Sequence, residues 1–188
     1  MTPHHASTIL PFLKPGVPIH GVEIGVMKGV NASKLLGMRQ LLHLDLVDPW
    51  GTYEAYQGAH GGHDKLSPGD WRAIFLRTQR LLARFYGRTR VIQLPSEMAA
   101  RAYEDESLDF IFIDANHTYE ATKADIAAWW PKVKRGGLFA GHDYGQRPKW
   151  QEANQWGVQE AVDEFIAAEG QPEVYVENLC WFTWKGSA

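Results

Sequence analysis

Short apolar runs alternate with amphipathic stretches of helical spacing along most of the chain. Strands are predicted for the apolar runs at Ile19–Ile24, Leu44–Val47, Val91–Leu94 and Leu108–Ile113, and a fifth strand begins at Leu138–Ala140. Helical spacing predicts helices after Asn31, after Asp70, over Ser96–Arg101, over Tyr119–Lys132 and across Val158–Ile166. Strands that are apolar on both faces and alternate with helices indicate a mainly parallel sheet covered on each side.

Polar and glycine-containing segments mark the predicted boundaries of these elements. Asn31 and Asp70 have side chains suited to capping a helix N-terminus, and Arg135-Gly136-Gly137 is a predicted turn. The β-like runs Val174–Val176 and Trp181–Trp184 flank a short turn at Glu177-Asn178, which predicts a C-terminal hairpin.

Composition limits the class of protein. The 188 residues are 45% apolar and 22% charged, as expected for one globular domain spanning 1–188. The net charge is −3 and the basic residues are scattered, so we expect no nucleic-acid partner. No apolar run approaches the ~20 residues that span a bilayer, and the first residues lack signal-peptide character. The sequence therefore predicts a cytoplasmic protein without a membrane partner.

Aromatic residues and the one cysteine refine this picture. Cys180 lies between Leu179 and Trp181, which predicts a buried, unreactive thiol. Eight tryptophans are many for a domain of this size, so some are expected to line a pocket or an interface. A homodimer is compatible with this number. Packing within the core is the alternative for any one of them.

The first predicted strand ends in a glycine-containing turn, Val22-Glu23-Ile24-Gly25-Val26-Met27-Lys28-Gly29. Gly25 and Gly29 allow a sharp turn into a helix whose free N–H groups can face a ligand. A dinucleotide-binding fingerprint would have a glycine at the position of Glu23. A carboxylate there would repel a pyrophosphate but would suit an ammonium or an amino-acid group.

Three further polar residues follow the second and third strands. Asp48 lies about twenty residues after the glycine turn, where an acid that binds ribose hydroxyls is expected, although an Asp-Pro turn is the alternative. Ser96 and Glu97 follow the third strand, where they could contact an adenine ring. Helix capping is an equally good explanation for Ser96.

The richest polar clusters follow the fourth and fifth strands. One is Asp114-Ala115-Asn116-His117-Thr118-Tyr119, and the other is His142-Asp143-Tyr144. Ligands of open parallel sheets bind beyond the carboxyl ends of the strands, and these strands should be neighbours. We therefore expect Asp114, His117, His142 and Asp143 to converge above one crevice.

Taken together, these motifs resemble class I S-adenosylmethionine-dependent methyltransferases. The glycine turn is similar to their first motif, and the Asp114 to Tyr119 and His142 to Tyr144 segments look like those of macrocin and other sugar O-methyltransferases. A more distant likeness is to catechol and caffeoyl-CoA O-methyltransferases. The resemblance extends from about residue 19 to 167. It implies a Rossmann-like three-layer α/β sandwich with seven strands in the order 3-2-1-4-5-7-6 and a C-terminal antiparallel hairpin.

The resemblance also implies site residues and chemistry. S-adenosylmethionine would contact Glu23, Gly25, Gly29, Asp48, Ser96, Glu97 and Asp114, and a small hydroxylated acceptor (a sugar, phenol or natural product) would receive the methyl group. In the catechol-type enzymes, the residues matching Asp114, His142 and Asp143 bind a divalent metal such as Mg²⁺. The position of their catalytic lysine is His117 here.

Two assignments stay open. His117 could remove the acceptor's proton, or His142 could do so with Asp143 orienting it, while Asp114 supports either arrangement. The related metal sites carry Asp-Asp or Asp-Asn where this chain has His142-Asp143. Because imidazole is a poor Mg²⁺ ligand, this departure favours a softer metal or none.

Further predictions concern the segments expected to lie around the crevice and the remaining histidines. The segment from Trp50 to Gly69 has no periodicity and predicts a long loop, whose Trp50, Tyr53 and Tyr56 could stack on the acceptor or adenine. Residues Tyr144–Trp156 are a second candidate wall. His60 and His63 are predicted to be loop residues without a metal, and His4 and His5 to be part of a mobile terminus. A non-catalytic cofactor-binding module and a nicotinamide-dependent oxidoreductase are the alternative functions.

Overall fold

The structure, a computed structural model, describes residues 5–51, 65–145, 156–169 and 174–186. The expectations for Tyr53, Tyr56, His60, His63, His4 and most of the 144–156 wall concern residues outside these ranges. Within the described ranges, no helix is both long enough and apolar enough to cross a bilayer.

One seven-stranded sheet organises the chain, in the predicted order β3-β2-β1-β4-β5-β7-β6. The strands are β1 (Ile19–Ile24), β2 (Leu42–Val47), β3 (Thr89–Ile92), β4 (Leu108–Ile113), β5 (Val133–Gly141), β6 (Tyr175–Glu177) and β7 (Cys180–Trp184). The first five strands pair in parallel, and β7 pairs antiparallel with both β5 and β6. The mainly parallel sheet with a C-terminal antiparallel hairpin is therefore confirmed.

Helices cover both faces of the sheet. They are α1 (His5–Ile9), α2 (Val30–Met38), α3 (Pro68–Leu82), α4 (Ser96–Ala100), α5 (Tyr119–Trp129) and α6 (Val158–Glu169). Short 3-10 turns extend α1, α3 and α5 to Phe12, Phe85 and Lys132.

Two apolar cores result, one on each face. The first joins α1, α2 and α3 to one side of the strands, and the second joins α4, α5 and α6 to the other. β4 contributes to both, because Phe110 and Phe112 face the first core while Ile111 and Ile113 face the second. The two-sided apolar pattern of this strand is thus explained by a three-layer sandwich.

Both predicted helix caps were wrong. The residue before α2 is Gly29, in a left-handed conformation, and Asn31 lies inside the helix. α3 is capped by Ser67, whose side chain accepts a hydrogen bond from the Asp70 N–H. Asp70 is the reciprocal member of this capping box, because its carboxylate accepts from the Ser67 N–H.

The predicted turn at Arg135-Gly136-Gly137 lies within β5, where the pairing with β4 shifts register. A bulge of this kind can place glycine inside a strand without ending it. The hairpin turn also lies one residue further along than expected. Asn178 and Leu179 both have positive φ, at 51° and 65°, as the tight hairpin turn requires.

Most tryptophans pack inside the fold. Of the described tryptophans, Trp50, Trp71, Trp129, Trp130 and Trp181 are buried. The alternative of core packing thus holds for the four of these that belong to the two apolar cores, which are Trp50, Trp129, Trp130 and Trp181. Trp71 instead lines a pocket at the carboxyl end of the sheet, as expected for some of the tryptophans. Cys180 is a buried free thiol, as predicted.

Candidate active site

The glycine turn after β1 crosses closely over the end of β4. Gly25 has φ of +85°, and a Cβ built on it would lie 2.0 Å from the Asp114 carbonyl oxygen. Gly29 has φ of +68° and packs against Thr78 and Leu82 of α3. No larger residue fits at Gly25. Glycine therefore lets the turn pass close to the end of β4 and leaves space free at the carboxyl ends of β1 and β4.

Three side chains hold this turn in place. The Asp48 carboxylate accepts hydrogen bonds from the N–H groups of Met27, at 2.8 Å, and Trp50, at 2.7 Å. The Met27 carbonyl accepts from the Trp50 indole, at 2.8 Å, and from the Thr78 hydroxyl, at 2.7 Å. Met27 has φ of 43°, and these bonds stabilise that uncommon conformation. Trp50 is therefore a buried support of the turn, and the expectation that it stacks on a ligand was wrong.

Glu23 is a buried acid that faces the cleft. Asn31 donates a hydrogen bond from Nδ2 to its Oε1 at 3.4 Å, while Oε2 is buried and bonds to none of the described groups. Burial, together with the nearby charge of Asp114, raises the pKa of Glu23 to about 8. A buried carboxyl group with one free oxygen is suited to receive an ammonium ion.

Two pockets adjoin at the carboxyl end of the sheet, and Gly25 and Ala115 line both. Each has a volume of about 270 Å³. The first pocket is mostly apolar and is bounded by Ile24, Val47, Pro49, Pro95 and α5. The second is also lined mostly by apolar surface but contains the ionisable side chains of Glu23, Asp48, Asp114 and His117, and it is called the polar pocket for that reason. Together they form one cleft whose polar end is defined by these four side chains.

The apolar pocket contains the residues predicted to contact adenine. Ser96 and Glu97 both line it. The Ser96 hydroxyl accepts from the Trp129 indole at 2.8 Å and also hydrogen-bonds Asp125. It does not cap α4, so the capping explanation was wrong. Because Ser96 donates its proton to Asp125, its oxygen can act toward a ligand only as an acceptor.

Asp125 was not singled out from the sequence. It is buried in α5 and lines the apolar pocket. Burial raises its pKa to about 7, opposed by the hydrogen bond from Ser96 and reinforced by Glu97. The available signal was a charged residue on the buried stripe of α5, between Thr122 and Trp129.

The polar pocket is centred on His117. Its Nε2 lies 3.2 Å from Oδ1 of Asp114 and 3.0 Å from Oδ2 of Asp143. Burial opposes a charge on this ring, but the two carboxylates outweigh burial and raise the pKa of His117. The hydrogen bond from His117 helps to hold the pKa of Asp114 well below its usual range, despite the burial of that carboxyl group.

His117 also contacts the segment that precedes α6. The Trp156 ring meets it edge-on with 4.8 Å between ring centroids, and the Gly157 N–H donates to its carbonyl at 2.8 Å. The start of α6 thus fixes the ring's position between the two acids. Trp156 is the part of the predicted second wall that the described residues include.

His142 and His5 complete the polar end. His142 Nδ1 lies 3.1 Å from Oδ1 of Asp143, so Asp143 contacts both candidate catalytic histidines. His5 Nδ1 lies 3.3 Å from Oδ2 of Asp114, and its ring stacks on His142 with 3.6 Å between centroids. The expectation that His5 belongs to a mobile terminus was therefore wrong. No sequence signal separated it from His4.

Ligand atoms suited to a cation form two groups here, each with all atoms within 4.8 Å of one another. One contains Asp114, His117 and Asp143, and the other contains His5, Asp114 and His142. The predicted ligands Asp114, His142 and Asp143 are distributed over both groups. Two carboxylates in the first group fit a hard divalent cation, whereas the second group has more imidazole and fits a softer one.

The structure brings the predicted cofactor and catalytic residues to one cleft. Glu23, Asp48, Asp114 and His117 line its polar part, with His142 and Asp143 bonded behind them. Gly25, Ser96 and Glu97 line its apolar part. Gly29 lies at the start of α2, packed against α3, and supports the turn from a distance.

Comparisons with known proteins agree with this geometry. A family described as "Methyltransferase domain" matches residues 22–144. No similar sequence was found among curated proteins. An O-methyltransferase family protein from Burkholderia thailandensis superposes with a TM-score of 0.65 and 12% identity, covering 97% of this chain and 56% of that one.

Two further solved methyltransferases are similar in the same way. The O-methyltransferase NovP has a TM-score of 0.61 and 18% identity, covering 97% of this chain and 76% of that chain. The methyltransferase MycE of the mycinamycin pathway, solved with Mg, S-adenosylhomocysteine and mycinamycin VI, has a TM-score of 0.58 and 17% identity. That match covers 99% of this chain and 49% of MycE.

The cleft also fits the cofactor that such a family uses. A free buried carboxyl oxygen on Glu23 suits the ammonium of S-adenosylmethionine, and the crossing at Gly25 leaves room that a Cβ would fill. The family match begins within β1 and extends past the end of β5, so it includes every lining residue of both pockets except His5. This chain therefore belongs to the methyltransferase domain family, as an S-adenosylmethionine-dependent enzyme.

Proposed function

We propose that this protein transfers a methyl group from S-adenosylmethionine to a hydroxyl oxygen of a small acceptor, such as a sugar, a phenol or a natural product. The observation that carries the proposal is the position of His117 Nε2, between Asp114 and Asp143 and within the pocket that contains Glu23. A hydroxyl is a weak nucleophile until its proton is removed, and imidazole is the side chain best suited to do so near neutral pH.

Each of these residues has its own role in the proposed reaction. Glu23 and Asp48 anchor the amino-acid and ribose groups, and Ser96 and Asp125 border the adenine. S-adenosylmethionine supplies an electrophilic methyl group on a sulfonium sulfur. As the acceptor oxygen bonds to that carbon, the carbon–sulfur bond would break, and the acceptor's proton would pass to the ring nitrogen of His117 that does not face the two carboxylates. Asp114 and Asp143 stabilise the imidazolium that results. Much of the acceleration comes from alignment of the two reactants.

A divalent cation is a second part of the proposal. Asp114 and Asp143 would hold it, and bound there it would lower the pKa of an acceptor hydroxyl. Support comes from the two carboxylates in one ligand group and from the Mg recorded with MycE. We further propose that the protein acts in the cytoplasm and that it takes no nucleic-acid partner.

A methyl-transfer assay tests the proposal. Purified protein is incubated with labelled S-adenosylmethionine and panels of sugars, phenols and glycosylated natural products, with Mg²⁺, Mn²⁺ or a chelator. We expect transfer to a hydroxylated acceptor, and His117→Gln should lower kcat by about 10²–10⁴-fold, the range for loss of a general base. Binding of S-adenosylhomocysteine should persist in that variant. A variant with undiminished kcat would rule out His117 as the base, and transfer only to amines or carbon acceptors would refute the proposed acceptor class.

A further inference from the structure

A second polar cluster lies at the amino end of the sheet, away from the cleft. His20 is the second residue of β1, His43 is the second residue of β2, and the two are Cα partners in the parallel ladder. Their rings meet edge-on with 5.3 Å between centroids. Asp45, two residues further along β2, points to the same face of the sheet. The proposed chemistry uses none of these three side chains.

The two oxygens of Asp45 have different surroundings. Oδ2 accepts hydrogen bonds from the Tyr103 hydroxyl and from Arg90, both at 2.6 Å, and lies 3.1 Å from His20 Nε2. Oδ1 is buried, lies 3.3 Å from His43 Nε2 and forms no hydrogen bond with any described group. A buried carboxylate oxygen without a partner is unfavourable, so a ligand at Oδ1 would be stabilised.

The two imidazoles are accessible where the carboxylate is not. The side chains of His20 and His43 are 40% and 44% exposed, whereas that of Asp45 is 0% exposed. One ligand atom from each of the three residues lies within 4.8 Å of the other two. The cluster thus places two partly exposed imidazoles beside a buried carboxylate oxygen that lacks a hydrogen bond.

We propose that His20, His43 and Asp45 form a peripheral site for zinc or a similar borderline transition metal. Two imidazole nitrogens and one carboxylate oxygen are a ligand set that Zn²⁺ accepts, with water in the remaining position. Mg²⁺ is a poor occupant because it prefers oxygen ligands. The bound metal links the starts of β1 and β2 and acts on stability, since the chemistry takes place at the opposite ends of these strands.

The neighbouring charges determine how tightly this site is expected to bind zinc. The Asp45 carboxylate already accepts hydrogen bonds from Tyr103 and Arg90 at Oδ2. The Arg90 guanidinium opposes a cation on the same carboxylate. The Asp109 carboxylate, which accepts from the His20 N–H at 3.0 Å and pairs with Lys134, is the next acid along this edge. We therefore expect moderate affinity that increases when Arg90 loses its charge.

The test measures zinc affinity in the full chain by competition with a chromophoric chelator. All proteins carry Asp114→Asn, which removes the carboxylate shared by both ligand groups of the cleft. His20→Gln and His43→Gln should each bind zinc at least ~10-fold more weakly, a change of about 1.4 kcal/mol. Arg90→Gln should bind it more tightly. His63→Gln is the matched control and should bind as the parent does.

Two further measurements distinguish zinc binding at this site from zinc binding in the cleft. Zinc should raise the Tm of the parent and not that of His43→Gln, because a ligand of the folded state stabilises it. With Asp114 intact, His43→Gln should retain S-adenosylhomocysteine binding. Parent-like zinc affinity in either His20→Gln or His43→Gln would overturn the proposal, as would affinity in Arg90→Gln that is unchanged or lower. Circular dichroism confirms that each variant is folded.

Discussion

At the scale of single residues, the protonation state of Glu23 should change when the cofactor binds. Its pKa of about 8 means that the carboxyl group is mostly protonated at pH 7 in the free protein. An ammonium beside it favours the ionised form and lowers that pKa. Binding of S-adenosylhomocysteine at pH 7 should therefore release close to ~1 proton, and the release should vanish well above pH 8.

Calorimetry in buffers with different ionisation enthalpies measures this proton directly. Glu23→Gln should abolish the buffer dependence and weaken binding, because its amide cannot become an anion. Asn31→Ala should weaken binding less, since the carboxyl group remains. Equal heats at pH 7 in all buffers would show that Glu23 does not ionise on binding.

Gly25 offers a second test at this scale, with a matched control in the same chain. A Cβ at Gly25 would meet the Asp114 carbonyl at 2.0 Å, whereas Gly16 has a similar φ of +74° and nothing within 4 Å. Both substitutions by alanine incur the strain of positive φ, of order 1–3 kcal/mol. Gly25→Ala should in addition separate β1 from β4 and abolish S-adenosylhomocysteine binding. Gly16→Ala should retain it, and equal losses of stability and binding in the two variants would contradict the role of the close crossing.

At the scale of elements, α1 brings a histidine to the candidate active site. Ala6 and Ile9 anchor this short helix in the first core, and His5 then lies against Asp114 and His142. Removing the imidazole leaves the anchor intact but frees one oxygen of Asp114. His5→Ala should thus retain a folded protein and lower kcat by about 10-fold, a loss typical of small misplacement of reacting groups.

Steady-state methyl transfer checks this expectation. Ser7→Ala, at an exposed position of the same helix, is the control and should leave kcat unchanged. An unaltered kcat in His5→Ala would place His5 outside the working site. A fall in Tm equal to that of an Ile9→Ala variant would show that its role is in packing.

The observed boundaries of strands and helices show which of them could be predicted from the sequence and which could not. The five parallel strands were predictable because apolar residues on both faces mark buried strands, as in β4. Strand starts were less clear, since His43 and Arg90 lie within β2 and β3 and interrupted the apolar pattern. The cap of α3 was misassigned because Ser67 and Asp70 both have capping side chains, and only the backbone conformation distinguishes them.

At the scale of the whole molecule, the fold rule predicted the site better than any single residue did. Glu23, Asp48, Asp114 and Asp143 are far apart in sequence, yet each follows or ends a parallel strand, so all had to meet at one edge. His5 and Asp125 were missed for the opposite reason, because each reaches the cleft from a helix whose docking depends on packing. The expected homodimer stays a prediction, which light scattering of the purified chain would check.

Because the cleft is built from β1, β2, β4 and the helices on both faces, a ligand there should stabilise the entire fold. S-adenosylhomocysteine at 100 times its Kd adds about 2.7 kcal/mol to the free energy of unfolding. For a chain of 188 residues, this corresponds to a rise in Tm of roughly 5–11 °C, at about 2–4 °C per kcal/mol. Gly25→Ala should show no rise, and His117→Gln should show most of it, because His117 is assigned to the reaction and not to cofactor binding. Differential scanning calorimetry with increasing ligand measures the shift. A rise confined to one of two transitions would mean that the two faces unfold separately, contrary to a single cooperative domain.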